Sequence, residues 1–257
     1  MKNNLNHSPI LGAVIGDIIG SRFEKSSIKS KDFDLFTPES IFTDDTILTM
    51  AILKSCLDQT NYLDNIVDFS KRYPDRGYGG RYIHWLNGDT SRPYNSFGNG
   101  SAMRVSPIPV FFSSAEDVLI QAKKTAEVTH NHPEGVKGAQ AIALAIHFAQ
   151  NGHTQEDISN VIGDIYNLNF KLDNIREMYA FSATCPGTVP QSVVCFLEAS
   201  SYEETVRNAV SLGGDTDTMA AMAGSIAAVH FGIPSTMVEE ALKKLPKEFR
   251  ELLSNEL

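Results

Sequence analysis

The sequence has little of what marks secreted or membrane proteins. Its three cysteines, Cys56, Cys185 and Cys195, lie far apart and form no CxxC pair, which is typical of small core residues in a reducing compartment. No stretch reaches the roughly 20 apolar residues that a membrane-spanning helix needs. We therefore expect a cytoplasmic protein with no signal peptide and no membrane partner.

Basic residues are fewer than acidic residues. The chain has 22 Lys and Arg residues against 31 Asp and Glu, a net charge of -9. This balance argues against non-specific binding of nucleic acid. An anionic substrate would therefore need hydrogen-bond donors placed locally around it.

Strand patterns are nearly absent, and helical periodicity dominates the 257 residues. Small residues recur in "GAVIGDIIG" and "AAMAGSIAAV", as central helices require for close packing. We predict one all-α domain over residues 1–257. The predicted helices include 99–106, 173–182 and 189–200, and capping boxes are predicted at Ser113 to Glu116, Thr188 to Gln191 and Ser201 to Glu204.

Two pairs of aspartates stand at the starts of apolar helices, Asp44 and Asp45 in "FTDDT" and Asp215 and Asp217 in "GGDTDTM". One aspartate per helix would suffice as an N-terminal cap, which is the alternative explanation. Adjacent carboxylates repel each other, and residues 41–53 and 211–231 contain no Lys or Arg. A divalent cation would offset this repulsion.

The donor types narrow the choice of metal. Carboxylates and the hydroxyls of Thr43, Thr216 and Thr218 are hard oxygen donors, which suit Mg²⁺ or Mn²⁺ better than zinc or copper. Four aspartates in one small volume would suit two divalent ions. Asp17 lies inside an apolar helix, so it is either a hydrogen-bonded core carboxylate or a partner that orients a metal ligand.

Two glycine-rich stretches each carry an arginine, "GYGGRY" at 77–82 and "SFGNGSAMR" at 96–104. Such loops are commonly turns, but their backbone N–H groups can also hold a diphosphate. In "THNHPEG", His130 and His132 flank Asn131. A zinc site lacks an obvious third ligand there, so hydrogen bonding or stacking with a substrate ring is favoured.

Taken in order, "GDIIGSRFE", "FTDDT", "GNGSAMR", "THNHPEG" and "GGDTDTMAAMAG" resemble the ADP-ribosylglycohydrolases, including their dinitrogenase-reductase-activating members. The resemblance runs from about residue 10 to about residue 232, and the sequence looks like a bacterial branch of the family. It implies a compact orthogonal bundle of helices whose central cleft holds two Mg²⁺ or Mn²⁺ ions and binds ADP-ribose.

The resemblance also implies roles for individual residues. The expected metal ligands are Thr43, Asp44, Asp45, Asp215, Asp217 and Thr218. The expected catalytic acids are Glu24, Asp44 and Asp45, which are not ranked. The expected substrate-binding residues are Gly79, Gly98, Asn99, Gly100, Ser101, Met103 and His132.

The implied reaction is hydrolysis at C1 of the distal ribose of an ADP-ribosylated protein or small molecule. Arginine, serine and nucleobase linkages and free ADP-ribosyl substrates all stay open, as does an ADP-ribose-binding relative with weak or no catalysis. Prenyl synthases also place aspartates on helices, but Leu48 stands where their DDxxD motif needs an acid. His-Asp phosphohydrolases lack support because the chain has no adjacent His-Asp pair. A monomer is the default expectation.

Overall fold

The computed structural model describes residues 5–255, so the predicted domain 1–257 extends beyond the described range by residues 1–4 and 256–257. Within residues 5–255 the chain forms α-helices, two short 3-10 turns at Leu5–His7 and Asn99–Ser101, and no strand. The predicted all-α fold is confirmed. The helices are α1 Pro9–Gly20, α2 Asp44–Asp58, α3 Tyr62–Arg72, α4 Gly80–Leu86, α5 Ile108–Phe111, α6 Ala115–Glu127, α7 Pro133–Gln150, α8 Gln155–Gly163, α9 Leu172–Ile175, α10 Cys185–Leu197, α11 Tyr202–Leu212, α12 Thr216–Phe231, α13 Ser235–Lys244 and α14 Lys247–Asn255.

Helices α1 and α12 form the centre of the molecule. Every residue of α1 is buried, and so is α12 from Thr216 to Ala228. A helix that is apolar on all sides is stable only when other helices surround it. Helices α7, α10 and α11 pack against α12, while α2 packs against α1 and α3. None of the helices within residues 5–255 is both long and apolar enough to cross a membrane.

The central pair is held together by backbone contact along three glycines of α1. A Cβ added at Gly16 would lie 2.1 Å from the carbonyl oxygen of Ala220. One at Gly12 would lie 2.5 Å from the carbonyl oxygen of Gly224, and one at Gly20 would be equally close to that of Thr216. Only glycine allows this approach, because an added Cβ would clash with backbone atoms of α12, and these atoms cannot move aside as a flexible side chain could. The start of α12 is thereby fixed against the end of α1.

Three helix predictions were wrong in extent. Residues 99–106 form only the 3-10 turn Asn99–Ser101 before the short α5, where Pro107 and Pro109 interrupt the backbone hydrogen bonds. The segment 173–182 is helical only over α9. The helix predicted at 189–200 begins earlier, at Cys185, with Pro186 in its first turn and Thr184 as its cap.

The three predicted capping boxes differ from the caps that the structure shows. Ser114, one residue after the predicted Ser113, caps α6 by accepting a hydrogen bond from the N–H of Asp117 at 3.1 Å. Thr188 lies inside α10, so that prediction was wrong. Ser201 does cap α11 by accepting from the N–H of Glu204 at 3.1 Å, but the Glu204 carboxylate accepts from Ser200 instead of closing the box.

We expect Gly16→Ala to lower the free energy of unfolding by about 3 kcal/mol, because the new methyl group meets the α12 backbone. Urea unfolding followed by circular dichroism measures the change. The matched control is Gly163→Ala at the end of α8, where an added Cβ meets no atom within 4 Å. That control should shift stability by less than about 1 kcal/mol. Equal stabilities of the two variants would contradict the backbone contact.

Candidate active site

The starts of α2 and α12 meet at a cavity of about 360 Å³. Its floor comes from the two aspartate motifs, and its walls come from both glycine-rich loops and the segment that precedes α10. The lining residues are Glu24, Asp44, Asp45, Leu48, Gly77, Gly79, Gly80, Arg81, Tyr82, Tyr94, Ser96, Phe97, Gly98, Asn99, Gly100, Met103, Arg104, His130, Phe181, Ala183, Thr184, Asp215, Asp217 and Thr218. A cavity of this size accommodates a small organic ligand.

The two aspartate motifs touch each other on the cavity floor. The Thr218 hydroxyl donates a hydrogen bond to Asp45 Oδ2 at 3.3 Å, although 173 positions separate the two residues in the chain. Asp45, Asp217 and Thr218 are each at most 5% exposed. The two helix starts therefore converge, which is the condition under which the four aspartates would share one small volume.

Asp17 of α1 holds the start of α2 in place. Its carboxylate accepts hydrogen bonds from the Thr43 N–H at 2.9 Å, the Thr43 hydroxyl at 2.7 Å and the Thr46 N–H at 3.1 Å, and a further one from the Thr46 hydroxyl. Burial raises the pKa of Asp17 to about 6, against the lowering effect of these four donors. Asp17 is thus both a hydrogen-bonded core carboxylate and the residue that positions Thr43 and the following aspartates.

Thr43 itself acts as the N-terminal cap of α2. Its hydroxyl accepts from the N–H of Asp45 at 3.3 Å while donating to Asp17. Thr43 is not among the described residues that line the cavity, whereas the neighbouring Asp44 is. The structure therefore places Thr43 behind the aspartates, and its predicted role as a metal ligand stays a prediction.

The turn before α12 depends on Gly213 and Gly214, whose φ angles are 72° and 77°. These values lie in the left-handed region that favours glycine. The turn presents Asp215 to Asn99, whose side-chain amide donates to Asp215 Oδ2 at 2.8 Å. Asp215 makes no capping hydrogen bond, so the alternative explanation that it serves only as a cap fails.

Charge is concentrated on the cavity floor. Burial raises the pKa of Asp45 well above its ordinary value, and the nearby charges of Asp217, Asp17, Asp44 and Asp215 raise it further. Burial followed by the charge of Asp215 also raises the pKa of Asp217 well above its ordinary value. In addition, Asp45 Oδ1 is buried and has no hydrogen-bond partner within residues 5–255. Such an atom is costly unless a cation or donor binds it.

The side chains present suit a hard divalent cation. Asp44, Asp45, Asp215, Asp217 and Thr218 all reach the cavity and offer only oxygen donors. Among the described residues, however, no three His, Cys, Asp or Glu side chains are already gathered around a single point. The buried Asp45 Oδ1, which has no hydrogen-bond partner among the described residues, and the Thr218 hydroxyl still fit a hard cation, because hydroxyls and water complete such sites.

Glu24 lies at the edge of the acidic floor. It is half-buried and lines the cavity. Burial raises the pKa of its carboxyl, and the nearby charge of Asp215 raises it further. A carboxyl with a raised pKa beside the acidic floor is a candidate for proton transfer.

The glycine loops form the wall that adjoins the acidic floor: Asn99 donates to Asp215, and a Cβ added at Gly77 would lie 3.0 Å from Asp44 Oδ1. Gly79, Gly98, Asn99, Gly100 and Met103 line the cavity as the sequence analysis places them. Ser101 is fully buried, and its hydroxyl donates to the carbonyl of Gly135 at 2.7 Å, so this hydroxyl supports the loop from behind.

The positions of the two histidines of "THNHPEG" relative to the cavity differ from the prediction. His132 is not among the described residues that line the cavity; its Nδ1 accepts from the N–H of Glu134 at 3.1 Å and caps α7. His130 lines the cavity instead. The proline at the start of α7 favours a cap at the residue before it, which is the signal in the sequence that distinguishes the two histidines.

Sequence reasoning missed the aromatic part of the wall. Tyr82, Tyr94, Phe97 and Phe181 all line the cavity, and Phe97 and Phe181 are more than 40% exposed. Phe181 comes from the segment after α9 that was predicted to be helical. Because this segment is extended, it can form a wall that a helix ending at residue 182 would not provide.

The family model of ADP-ribosylglycohydrolase matches residues 9–256. The chain belongs to the ADP-ribosylglycohydrolase family. It is accordingly an enzyme of the glycohydrolase class. Family membership also removes the prenyl synthase and His-Asp phosphohydrolase alternatives.

Several relatives of this glycohydrolase are similar over most of their length. ADP-ribosylhydrolase ARH3 of Mus musculus is 28% identical over 87% of this chain and 83% of its own. An uncharacterized protein of Archaeoglobus fulgidus is 30% identical over 96% and 94%. The ADP-ribosyl-[dinitrogen reductase] glycohydrolase of Rhodospirillum rubrum is 25% identical over 81% and 76%.

A solved structure titled "ADP-ribosylglycohydrolase-related protein complex" has the same fold as this glycohydrolase. The TM-score is 0.75 at 22% identity, and the match covers 99% of this chain and 97% of that one. At this identity the likeness establishes the fold alone.

In buffer containing a chelator, we expect Asp45→Asn to raise the free energy of unfolding of this glycohydrolase by about 1 kcal/mol, because it removes one of several buried, mutually repelling charges. Urea unfolding measures it. Asp58→Asn, at the exposed end of the same helix, is the matched control and should change stability by less than about 0.5 kcal/mol. A lower free energy of unfolding for Asp45→Asn would show that repulsion between the carboxylates of the cavity floor does not dominate the effect of Asp45 on stability.

Proposed function

We propose that this glycohydrolase hydrolyses the bond between C1 of the distal ribose and a nitrogen or oxygen of an ADP-ribosylated acceptor, and that it requires two divalent cations, Mg²⁺ or Mn²⁺. The observation that carries the proposal is the contact between Asp45 and Thr218, which joins both acidic motifs beneath a glycine-lined cavity. The names of the relatives, which describe ADP-ribosyl hydrolysis, support the same reaction.

The cations would be held by Asp44, Asp45, Asp215, Asp217 and Thr218, with Thr43 behind them. When bound, such ions polarise ribose oxygens and lower the pKa of bound water. The chain supplies the geometry: Asp17 fixes the start of α2, and the side-chain amide of Asn99 fixes the orientation of Asp215. Both supports are buried, so the acidic floor is rigid before any ligand arrives.

The glycine-loop wall is suited to the diphosphate. Gly98 and Gly100 line the cavity and have no side chain, so an anion can approach this wall closely, although the Gly98 N–H already donates to Ser96 Oγ at 3.1 Å. With the diphosphate on this wall, the distal ribose would extend toward the aspartates. The aromatic residues Tyr94, Phe97 and Phe181 offer stacking surfaces for the adenine ring.

Cleavage at C1 develops positive charge on the ribose, so the enzyme must orient the sugar, deliver water and move one proton. Asp44 and Asp45 are proposed to be engaged by the cations. We therefore assign the proton to Glu24, which lines the cavity next to the charge of Asp215 and whose pKa is raised by burial.

Glu24→Gln should lower kcat by at least about 100-fold with little change in metal affinity.

The reaction is tested by incubating the protein with Mg²⁺ or Mn²⁺ and substrates carrying ADP-ribose on arginine, serine or a nucleobase. We expect release of ADP-ribose from at least one of them and loss of that release in chelator. Metal-dependent binding of ADP-ribose without turnover would instead support the binding-protein alternative. No turnover and no binding would overturn the proposal.

The shared metal site has its own test. We expect Asp45→Ala and Asp217→Ala each to weaken Mn²⁺ binding by more than about tenfold in calorimetric titrations, because each removes a carboxylate from the joint floor. Circular dichroism should show unchanged helix content in both variants. Asp58→Ala is the control for loss of an exposed charge on α2. Wild-type affinity in both floor variants would rule out the shared site.

A further inference from the structure

A chain of hydrogen bonds lies behind the glycine loop at 98–101. It begins at Arg104, which is fully buried and forms no ion pair with any described residue. One guanidinium nitrogen, Nη2, donates to the Thr125 carbonyl at 2.8 Å and to the Thr129 hydroxyl at 2.9 Å. The Thr129 oxygen lies 2.6 Å from Nδ1 of His130. Arg104, Thr129 and His130 thus form one continuous chain.

The chemistry of the donors fixes the direction of this chain. An arginine side chain donates hydrogen bonds and accepts none. The Thr129 oxygen therefore accepts from Arg104, and its hydrogen is free to donate to Nδ1 of His130. With Nδ1 as an acceptor, the proton of a neutral imidazole resides on Nε2.

The opposite tautomer leaves a buried group unsatisfied. If Nδ1 carried the proton, the Thr129 oxygen would accept from both neighbours, and its own hydrogen would need another acceptor. No hydrogen bond from this hydroxyl to any other described group is present, and Thr129 is fully buried. Leaving a buried hydroxyl hydrogen without a partner is unfavourable.

The imidazole is also held in the neutral form. Burial lowers the pKa of His130 well below its ordinary value, and the charges of Arg104 and Arg81 lower it further. Protonation would place a second buried positive charge beside that of Arg104. The donor chain and the electrostatics therefore favour the same species.

The edge of the ring that carries Nε2 faces the glycine loop. A Cβ at Gly98 would lie 3.3 Å from Nε2, and one at Gly100 would lie 3.1 Å from it. His130 lines the cavity beside both glycines, and Nε2 makes no hydrogen bond with a described residue. A donor at this position has access to the ligand that the loop holds.

We propose that Arg104, acting through Thr129, fixes His130 in the Nε2–H tautomer, so that His130 donates a hydrogen bond to an oxygen of the ligand on the glycine loop. The identity of that ligand as ADP-ribose rests on the proposed function. Arg104 and Thr129 are positioning residues, because neither needs to touch the ligand. The two other guanidinium nitrogens of Arg104, Nε and Nη1, lack partners among the described residues.

The tautomer is tested by ¹⁵N NMR of the full-length protein labelled at histidine, with His130→Gln used to assign the signal among the seven histidines. We expect an unprotonated Nδ1 and a protonated Nε2 that do not titrate where exposed histidines do. In Thr129→Val, both nitrogen shifts should move toward those of mixed tautomers. Thr129→Ser should restore the wild-type spectrum.

Thr125→Val is the matched control. Thr125 lies one turn earlier, in α6, and is equally buried; its hydroxyl donates to the Ala122 carbonyl, and only its backbone carbonyl, which the substitution keeps, accepts from Arg104. It should leave the His130 spectrum unchanged. A protonated Nδ1 in the wild type, or identical spectra for wild type and Thr129→Val, would overturn the proposal. If Thr129→Val does not fold, the wild-type spectrum alone decides the tautomer.

Ligand binding separates this inference from the proposed function. We expect Thr129→Val to weaken ADP-ribose binding by about tenfold, the factor that corresponds to about one hydrogen bond, and Thr129→Ser to stay near wild type. Equal affinity in wild type and Thr129→Val would overturn the role of His130. A wild-type protein that shows the Nε2–H tautomer but binds no ADP-ribose would count against the proposed function and leave the tautomer standing.

Discussion

Backbone contact between α1 and α12 is the constraint on which the site depends. Gly12, Gly16 and Gly20 bring the two helices so close that no side chain fits between them. The Thr216 hydroxyl adds a hydrogen bond to the Gly20 carbonyl at 2.9 Å. Since Asp17 lies on α1 and Asp217 begins α12, this contact sets where both carboxylates are. Asp17 then fixes the start of α2, so all three helix ends meet at one cavity.

The same arrangement forces like charges together. Four aspartates and Glu24 face a cavity of about 360 Å³, and burial raises the pKa of each of them. A flexible loop would separate these groups, whereas helices packed on a buried frame hold them close. The packing energy of the core thus offsets the mutual repulsion of these carboxyl groups. Preorganised sites commonly lower the stability of the fold in this way.

The sequence alone predicts the all-α fold and marks "FTDDT" and "GGDTDTM" as two acidic helix starts without a basic partner, while that they share one site is implied only by the family resemblance. The choice between His130 and His132 depends on one local signal, Pro133, which favours His132 as the helix cap and which our prediction did not use. The extended segment containing Phe181 was missed for a different reason. Its backbone is held by distant groups, including Lys29, which donates to the Tyr179 carbonyl at 2.8 Å, and local periodicity carries no information about such contacts.

The cavity is lined by two chemically different sets of groups, which bears on a difficulty raised by the composition. A chain with a net charge of -9 repels an anionic ligand at long range. His130 and Arg104 line the same cavity as the acidic floor, together with the glycine loop at 98–101. Asn99 of that loop donates to Asp215, so the hydrogen-bond donors and the carboxylates adjoin each other. An anionic group bound by these donors would therefore feel the neighbouring carboxylates unless their charge is offset.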